Sequence, residues 1–182
     1  MATKRKQTNP AAKQAGIRIR RAKSSDAARI AELSGQLGYP AKPAEITRRL
    51  RSIKPASRHA VLLAESPDRK VIGWLHVSVS PLLEVELRAE VNGLVVDDDE
   101  RSRGTGALLL HAAEQWARSR GCKNMSVRSN VIRERAHQFY LRHGYEHYKT
   151  QKAFRKSLGL VAEVAPGFNC TPSEPISRTR HR

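Results

Sequence analysis

The fold is decided by residues 94–121, which read LVVDDDERSRGTGALLLHAAEQWARSRG. A short apolar run ends in four acidic residues, and a polar turn with two glycines follows it. In the next segment Leu109, Ala112 or Ala113, and Trp116 fall on one face at a period of 3.6 residues, and Gly121 is a typical residue to end a helix. The stretch therefore predicts a strand, a tight turn and a helix over 104–120.

The turn at 101–106 has the features of an anion-binding site. Its two glycines let the backbone turn tightly and expose N–H groups, and the helix N-terminus adds about half a positive charge. Arg101 and Arg103 can close over a pyrophosphate. A purely structural turn before a helix would have a similar sequence, so the turn alone leaves both interpretations open. Rossmann and Walker loops are excluded, because Leu109 takes the position of a required small residue and Gly-Lys-Ser/Thr is absent.

The flanking sequence alternates helices and strands. Gly93 interrupts an otherwise strand-like run, which is typical of a bulge. The order of the elements indicates an α/β or α+β fold with a mixed sheet. Periodicity and turn residues predict strands at 17–21, 60–65, 71–79, 84–96 and 125–129, helices at 24–36, 43–53 and 133–142, and one or two final strands within 145–158.

The composition fits one globular domain with charged ends. The chain has 182 residues and a net charge of +17, and residues 1–23 hold eight basic side chains and no acidic one. We predict a disordered basic arm at 1–16, the domain at 17–158 and a flexible tail at 159–182. No apolar run approaches the ~18 residues of a membrane span, the N-terminus lacks the apolar part of a secretory signal, and Cys122 and Cys170 lack metal-ligand spacing. We therefore expect a cytoplasmic protein without a membrane or metal partner.

Two ordered motifs resemble those of the GNAT superfamily of N-acetyltransferases, in its bacterial small-molecule-amine type. The run at 94–121 is similar to the family's strand, Arg/Gln-x-x-Gly-x-Gly/Ala turn and helix. The run VRSNVIRERAHQFYLRHGY at 127–145 is similar to the second block, in which an asparagine precedes a helix that ends in Phe-Tyr-x-x-x-Gly-Tyr/Phe. The ending KTQKAFRKSL at 149–158 resembles the closing strand of many bacterial members, so the similarity spans about residues 17–158.

The resemblance implies a mixed, mostly antiparallel sheet with helices on both faces. Its fourth and fifth strands would splay apart into a slot for acetyl-CoA, the cosubstrate, helped by a bulge at Asn92 and Gly93. The cofactor-binding residues that the resemblance implies are Leu94, Val95 and Val96 on the fourth strand, Arg101, Ser102, Arg103, Gly104, Thr105 and Gly106 in the turn, and Asn130 and Ala136 in the second motif.

The resemblance also indicates two catalytic side chains. A lysine-like amine with a pKa of ~10.4 has a free lone pair at pH 7 in only about one molecule in 10³, so the reaction needs a base. Glu90 is the first choice, with Glu86 and Glu84 as second choices on the same strand. Glu90 could instead orient the substrate ammonium or pair with a neighbouring charge. Tyr140 matches the tyrosine that commonly protonates the leaving thiolate, whereas outside the family it would be a core residue.

We expect the acceptor to be the primary amine of a small molecule, which attacks acetyl-CoA directly in a ternary complex. The basic chain would repel polycations, which favours a less cationic amine, whereas a local acidic patch such as Glu84, Glu86 and Glu90 would reverse this preference. The alternative is a protein or peptide N-acetyltransferase with the same core. A nucleic-acid-binding module is a remote alternative, because the basic arm comes without a recognition motif and aromatic residues make up only 5%. Homodimers are common in the family, and the sequence leaves the oligomeric state open.

Overall fold

The computed structural model describes residues 16–53 and 58–158. The predicted tail at 159–182 and the predicted arm, apart from Gly16, lie outside the described residues, so both stay predictions. The chain divides into two units, Met1–His147 and Tyr148–Arg182. None of the helices within the described ranges is long and apolar enough to span a membrane.

The first unit contains five strands and four helices in its described residues. Two short 3-10 turns, Ser24–Asp26 and Asp98–Glu100, precede the first and third helices. In chain order the elements are β1 (Arg18–Arg21), α1 (Ala27–Gln36), α2 (Pro43–Ser52), β2 (His59–Glu65), β3 (Val71–Ser80), β4 (Arg88–Val96), α3 (Thr105–Arg118), β5 (Asn124–Val127) and α4 (Glu134–Arg142).

The strands form one sheet in the order β1-β2-β3-β4-β5. All neighbours are antiparallel except β4 and β5, which are parallel and are joined through α3. β5 pairs with β4 only from Arg88 to Val91, and β4 then continues alone on that side to Val96. The sheet therefore confirms the predicted mixed, mostly antiparallel arrangement with a splayed fourth and fifth strand.

A bulge lies in β4 at the point where the two strands part. Val77 of β3 pairs with Val91, whereas the preceding His76 pairs with Gly93, so Asn92 is the extra residue. The Asn92 side chain donates a hydrogen bond from Nδ2 to Ser78 Oγ at 2.8 Å, across the two strands. The bulge predicted at Asn92 and Gly93 is thus confirmed.

Helices cover both faces of the sheet. On one face α3 buries Leu109, Leu110 and Ala113 against β2, β3 and β4, and Phe139 and Tyr140 of α4 pack on the same cluster. On the other face α1 and α2 bury residues such as Ile30, Leu33 and Ile46 against Leu63 and Val95 of the sheet. Burial of such apolar side chains supplies most of the stability of the first unit.

A buried acid fastens α1 to the end of β4. Asp97 is 4% exposed, and its carboxylate binds Arg29 of α1 in a very short ion pair and Lys70 at 3.5 Å. Gln36 Nε2 lies 3.4 Å from Asp97 Oδ1. Burial alone would raise the pKa of Asp97, but the hydrogen bond from Gln36 and the charge of Arg29 hold it below its usual value. The position of α1 relative to β4 is therefore set by electrostatic contacts as well as by packing.

Two sequence predictions about strands are wrong. β4 begins at Arg88 and not at 84, because β3 ends at Ser80 opposite Arg88 and Pro81 cannot continue the ladder. Glu84 and Glu86, the second choices for the base, consequently lie on an exposed loop and do not share a strand face with Glu90. The structure also has neither helix nor strand over 145–158; in the second unit Tyr148, Phe154 and Leu158 are exposed, so the alternation there buries no face.

Gly73 of β3 provides a test of the packing between the sheet and α3. A Cβ atom at this position would lie 2.8 Å from the Val95 carbonyl oxygen and 3.3 Å from Leu109 Cδ1. Gly73→Ala should therefore lower the free energy of unfolding by about 1–3 kcal/mol. Gly35→Ala on α1, where nothing lies within 4 Å, should leave it unchanged or raise it by up to about 1 kcal/mol. Urea unfolding of both variants measures the difference; equal stability would contradict the close approach at Gly73.

Candidate active site

A cleft of about 510 Å³ opens where β4 and β5 part. Its floor is formed by the last three residues of β4, at 94–96. One wall comes from the end of α1 and the residues after it, at 36–38, and the other from the start of α4, at 132–136. Arg101 also lines the cleft. The splayed strands thus produce an elongated groove between two helix ends.

Five of the residues predicted to bind a cofactor lie in the lining of this cleft, namely Leu94, Val95, Val96, Arg101 and Ala136. Because β5 pairs with β4 only as far as Val91, residues 94–96 have no strand partner on the β5 side among the described residues. The Val96 carbonyl oxygen accepts a hydrogen bond from Arg101 Nε at 3.3 Å, which a ligand with amide groups would have to replace or share. The structure brings these residues together. Their contact with a cofactor stays a prediction.

The turn before α3 has the backbone geometry of an anion site. Gly104 is the N-cap residue and has φ +84°, a left-handed conformation that glycine adopts without strain. Ser102 also has a positive φ, +61°. The first N–H groups of α3 have no partner within the helix. The buried Thr105 Oγ1 likewise has no hydrogen-bond partner among the described residues. These donors around Gly104, Thr105 and Gly106 fit a phosphate group.

Both arginines of the turn are paired with acidic residues. Arg101 forms a close ion pair with Asp98, and Arg103 Nη1 lies 2.6 Å from Glu100 Oε2. To bind a pyrophosphate, as the sequence predicts, the two arginines would have to exchange or share these partners. Ser102 Oγ accepts a hydrogen bond from Arg135 Nη2 at 3.1 Å, which ties the turn to the start of α4.

Arg133 was not singled out by the sequence, yet its side chain connects the two walls of the cleft. Its Nη2 donates to the Leu37 carbonyl oxygen at 2.8 Å, and its guanidinium carbon lies 5.9 Å from the centre of the Tyr39 ring. The sequence contains no signal for this contact, because residues 37 and 133 meet only through the tertiary fold. Arg133 therefore links the α1 wall to the α4 wall.

Asn130 organises the start of α4. Its side-chain Oδ1 accepts a hydrogen bond from the Ile132 N–H at 3.2 Å, and its carbonyl oxygen lies 3.0 Å from His137 Nε2. Asn130 is exposed and does not line the cleft. Its predicted contact with the cofactor arm accordingly stays a prediction.

A row of polar residues crosses four strands on the face of the sheet that α1 and α2 partly cover. The strand registers place His59 beside Ser78, Ser78 beside Glu90, and Glu90 beside Ser126. Glu90 is the only one of these that the sequence singled out. Asn92, the bulge residue, joins the row through its hydrogen bond to Ser78. Where the row crosses β4, it lies just before the residues that form the floor of the cleft.

Glu90 has a charged partner at the fork between the strands. Its Oε1 lies 2.5 Å from Arg128 Nε, in the first residue after β5. The Glu90 side chain is 22% exposed and that of Arg128 80%. The carboxylate is thus within reach of a ligand, and an arginine occupies one side of it.

One member of the row, His59, contacts a second histidine. His59 Nδ1 and His76 Nε2 are 3.2 Å apart, so one ring donates a hydrogen bond to the other. Burial, assisted by the charge of His59, lowers the pKa of His76 to about 4. His76 is therefore neutral around pH 7. Sequence reasoning missed this pair: His76 lies in the strand predicted at 71–79, but His59 lies just before the strand predicted at 60–65, and the register between the two strands was not known.

Tyr140 lies beside two aromatic rings, with ring-centre distances of 5.2 Å to Phe139 and 5.6 Å to Tyr145. Burial raises its pKa to about 12. Full proton transfer to a thiolate with a pKa of ~8.5 would therefore be uphill by about 5 kcal/mol. A tyrosine that gives its proton to a thiolate needs a lowered pKa, and burial acts in the opposite direction. Tyr140 is suited to donate a hydrogen bond and to remain protonated.

With this geometry in view, the chain can be compared with known proteins. The model of the acetyltransferase (GNAT) family matches residues 27–145, which include all four helices and four of the five strands. The chain therefore belongs to the GNAT family. It is an acetyl-CoA-dependent N-acetyltransferase.

Two curated relatives have narrower names. An aminoglycoside N(6')-acetyltransferase type 1 of Klebsiella aerogenes is 32% identical over 108 residues, covering 58% of this chain and 71% of the relative. An aminoalkylphosphonate N-acetyltransferase of Salmonella typhimurium is 39% identical over 66 residues, covering 35% of this chain and 43% of that protein. The chain thus spans less than half the length of the second relative.

Solved structures show the same fold at low identity. The aminoglycoside 6'-N-acetyltransferase AAC(6')-Ih of Acinetobacter baumannii superposes with a TM-score of 0.68 at 18% identity, covering 79% of this chain and all of that one. AAC(6')-Iy, in complex with a bisubstrate analogue that contains CoA, has a TM-score of 0.68 at 19% identity and covers 78% of this chain and 98% of its own.

His76 should make stability depend on pH. In the unfolded chain its pKa is near 6.5, whereas in the fold it is about 4. As the pH falls from about 6.5 to 4, the unfolded state takes up a proton that the folded state does not, and the free energy of unfolding should fall by up to about 3 kcal/mol. His76→Gln should remove this contribution, and His111→Gln, at an exposed position of α3, should keep it. Chemical unfolding at several pH values measures the effect, and parallel curves for wild type and His76→Gln would contradict it.

Proposed function

We propose that this protein acetylates the primary amine of a small molecule, with acetyl-CoA bound in the cleft and the amine attacking it directly. The observation that carries the proposal is the fork between β4 and β5. It opens a cleft along residues 94–96, with the anion-binding turn after the end of β4 and the polar row with Glu90 before its floor. A cosubstrate with phosphates at one end and a thioester at the other fits this order.

The residues present fit acetyl-CoA. The N–H groups at the start of α3, with Gly104 in its left-handed conformation, would hold the pyrophosphate, and Arg101 and Arg103 would screen its charge. Backbone groups of residues 94–96 would bind the pantetheine amides, and Ala136 would line the opposite wall. Acetyl-CoA supplies the activated acetyl group. The protein supplies binding, orientation and routes for protons.

Glu90 would accept a proton from the acceptor. An ammonium acceptor loses two protons as its nitrogen bonds to the acetyl carbon and the C–S bond breaks. Loss of the first proton frees the lone pair, and Glu90, a partly exposed carboxylate at the fork, would receive this proton and pass it to water. The second ends on the CoA sulfur. Because Arg128 already binds Glu90, the incoming amine must displace or share that arginine.

Tyr140 would assist the leaving sulfur by donating a hydrogen bond. Its raised pKa keeps the phenol protonated throughout the neutral range, so the donor is always present. The same pKa makes it a poor source of a free proton. We therefore assign to Tyr140 the stabilisation of developing negative charge on sulfur, with water or the acceptor nitrogen as the origin of the proton.

The small-molecule acceptor is supported by the names of the two curated relatives, an aminoglycoside and an aminoalkylphosphonate acetyltransferase. Those two substrates differ in charge, since an aminoglycoside is a polycation and an aminoalkylphosphonate carries an anionic group. The net charge of +17 favours an acceptor that is not a polycation.

Acetyl-CoA at about 100 times its Kd should stabilise the protein by about 2.7 kcal/mol and raise its melting temperature. Gly104→Val should abolish this shift, because valine strongly disfavours the φ of +84° and its side chain would crowd the phosphate site. Gly121→Val, at the other end of α3, has a similar φ of +79° with open space around it. It should lower the stability of the free protein comparably and keep the ligand shift. Retention of the shift in Gly104→Val would refute the placement of the pyrophosphate.

Tyr140→Phe should lower kcat by about ten-fold and leave the acetyl-CoA-induced shift intact, because only a hydrogen bond to the sulfur is lost. A thiol-release assay with saturating acetyl-CoA measures the rate. Phe139→Leu, a neighbouring aromatic change, serves as the control for altered packing. If Tyr140→Phe kept full kcat, the tyrosine would have no role at the sulfur.

A further inference from the structure

We propose that the acceptor carries an acidic group in addition to its amine, and that Arg128 and Arg88 bind this acidic group while Glu90 receives the amine. This inference rests on the proposed function and specifies the substrate class of the same site. It follows from three observations around the fork between β4 and β5: one ion pair, one arginine whose side chain has no partner among the described residues, and the distribution of charge.

The first observation is the ion pair between Glu90 and Arg128. The two side chains meet at 2.5 Å, at the point where β5 ends and the cleft begins. Arg128 is 80% exposed and can turn towards a ligand. Because the Arg128 side chain is largely solvated, it can exchange its partner at a low cost in stability.

The second observation concerns Arg88. It lies two residues before Glu90 on β4, and side chains at this spacing project from the same face of a strand, about 7 Å apart. Arg88 is half-buried, yet its side chain forms no hydrogen bond or ion pair with any residue in the described ranges. Its cross-strand neighbours, Ser80 and Asn124, are uncharged. A half-buried guanidinium without an anion is suited to receive one from a ligand.

The third observation is the charge around Glu90. Arg88 and Arg128 supply two positive charges against one negative charge, and the buried His76 adds none at neutral pH. The nearby Glu86 is exposed and is paired with Lys123 at 3.4 Å. The polar row therefore has a positive excess on the side that the amine must approach.

These charges discriminate between classes of acceptor. A polycation must displace Arg128 from Glu90 and then leaves two arginines unpaired beside its own positive charges. An amine that also carries a phosphonate or carboxylate exchanges partners instead: its ammonium binds Glu90, and its acid binds Arg128, with Arg88 as a second donor. Arginine binds both kinds of acid in a bidentate manner. Only an amine that also carries an acidic group leaves every one of these charged groups with an oppositely charged partner.

The test compares four amines of equal spacing: 2-aminoethylphosphonate, 3-aminopropanoate, 2-aminoethanol and 1,2-diaminoethane. For the wild type, kcat/KM from thiol release should be at least ten-fold higher for either acidic amine than for the diamine. The acidic amine with the higher value identifies the acidic group as a phosphonate or as a carboxylate, and both results support the inference. A diamine that is used as well as the acidic amines would overturn it.

The variants then assign the preference to the two arginines. Arg128→Gln and Arg88→Gln should each reduce the ratio of kcat/KM for the acidic amine to that for the diamine by ten-fold or more, mainly through KM. Arg128→Lys, which keeps the charge, should restore part of the ratio. Arg118→Gln, an exposed arginine on α3, should leave it unchanged. Thermal unfolding with acetyl-CoA checks that each variant folds. An unchanged ratio in both glutamine variants would overturn the inference.

The same experiment separates this inference from the proposed function. Turnover of all four amines without an acidic preference would leave the proposed function standing and remove the inference. Binding is measured independently by calorimetry of each amine with protein saturated with CoA. If none of the four amines turned over or bound, the inference and the proposed function would both be refuted. Glu90→Gln should weaken turnover of every amine, including 2-aminoethanol, because its role does not depend on the acidic group.

Discussion

One extra residue in β4 sets the positions on which the rest of the active site depends. Asn92 shifts the register between β3 and β4 and is held by its hydrogen bond to Ser78. The pairing of β4 with β5 ends at the preceding residue, Val91, and residues 94–96 line the cleft. Backbone N–H and C=O groups that lose a strand partner must bind water or a ligand. The bulge therefore creates both the space for a cosubstrate and the hydrogen-bonding groups along it.

The walls of the cleft are held by polar contacts rather than by the sheet. Asp97, at the end of β4, binds Arg29 of α1, and Arg133 at the start of α4 reaches the carbonyl of Leu37. Both contacts fix helix ends relative to β4, the element that forms the floor. A buried ion pair at Asp97 can hold a fixed geometry. Gln36, at the other end of α1, also binds Asp97 and accepts a hydrogen bond from the Asp98 N–H, so both ends of α1 are held against the end of β4.

Local features of the site were predictable from the sequence, and tertiary ones were not. The turn with Gly104 and the bulge next to Gly93 are local, because glycine positions and strand–helix patterns specify them directly. The pairs Glu90–Arg128 and His59–His76 depend on strand register, which periodicity does not give. The extent of β4 was overestimated, because the strand-like pattern includes residues 84–87. These residues have no partner in β3, which ends at Ser80 opposite Arg88. The pKa of Tyr140 depends on burial, so its direction was predictable only from the fold.

Arginines paired with acids lie at both ends of the cleft, and Arg88 at the fork, whose side chain has no partner among the described residues, is the exception. At the turn Arg101 and Arg103 are paired with Asp98 and Glu100, and at the fork Arg128 is paired with Glu90. In a chain with a net charge of +17, unpaired arginines would repel one another and bind anions without selection. An arginine that already binds a carboxylate must release it to bind an anion. The favoured ligands are therefore those that also offer a partner to the released carboxylate. At the turn the N–H groups of the helix N-terminus also bind the anion, whereas at the fork the ammonium group of the acceptor must bind the carboxylate that the arginine releases.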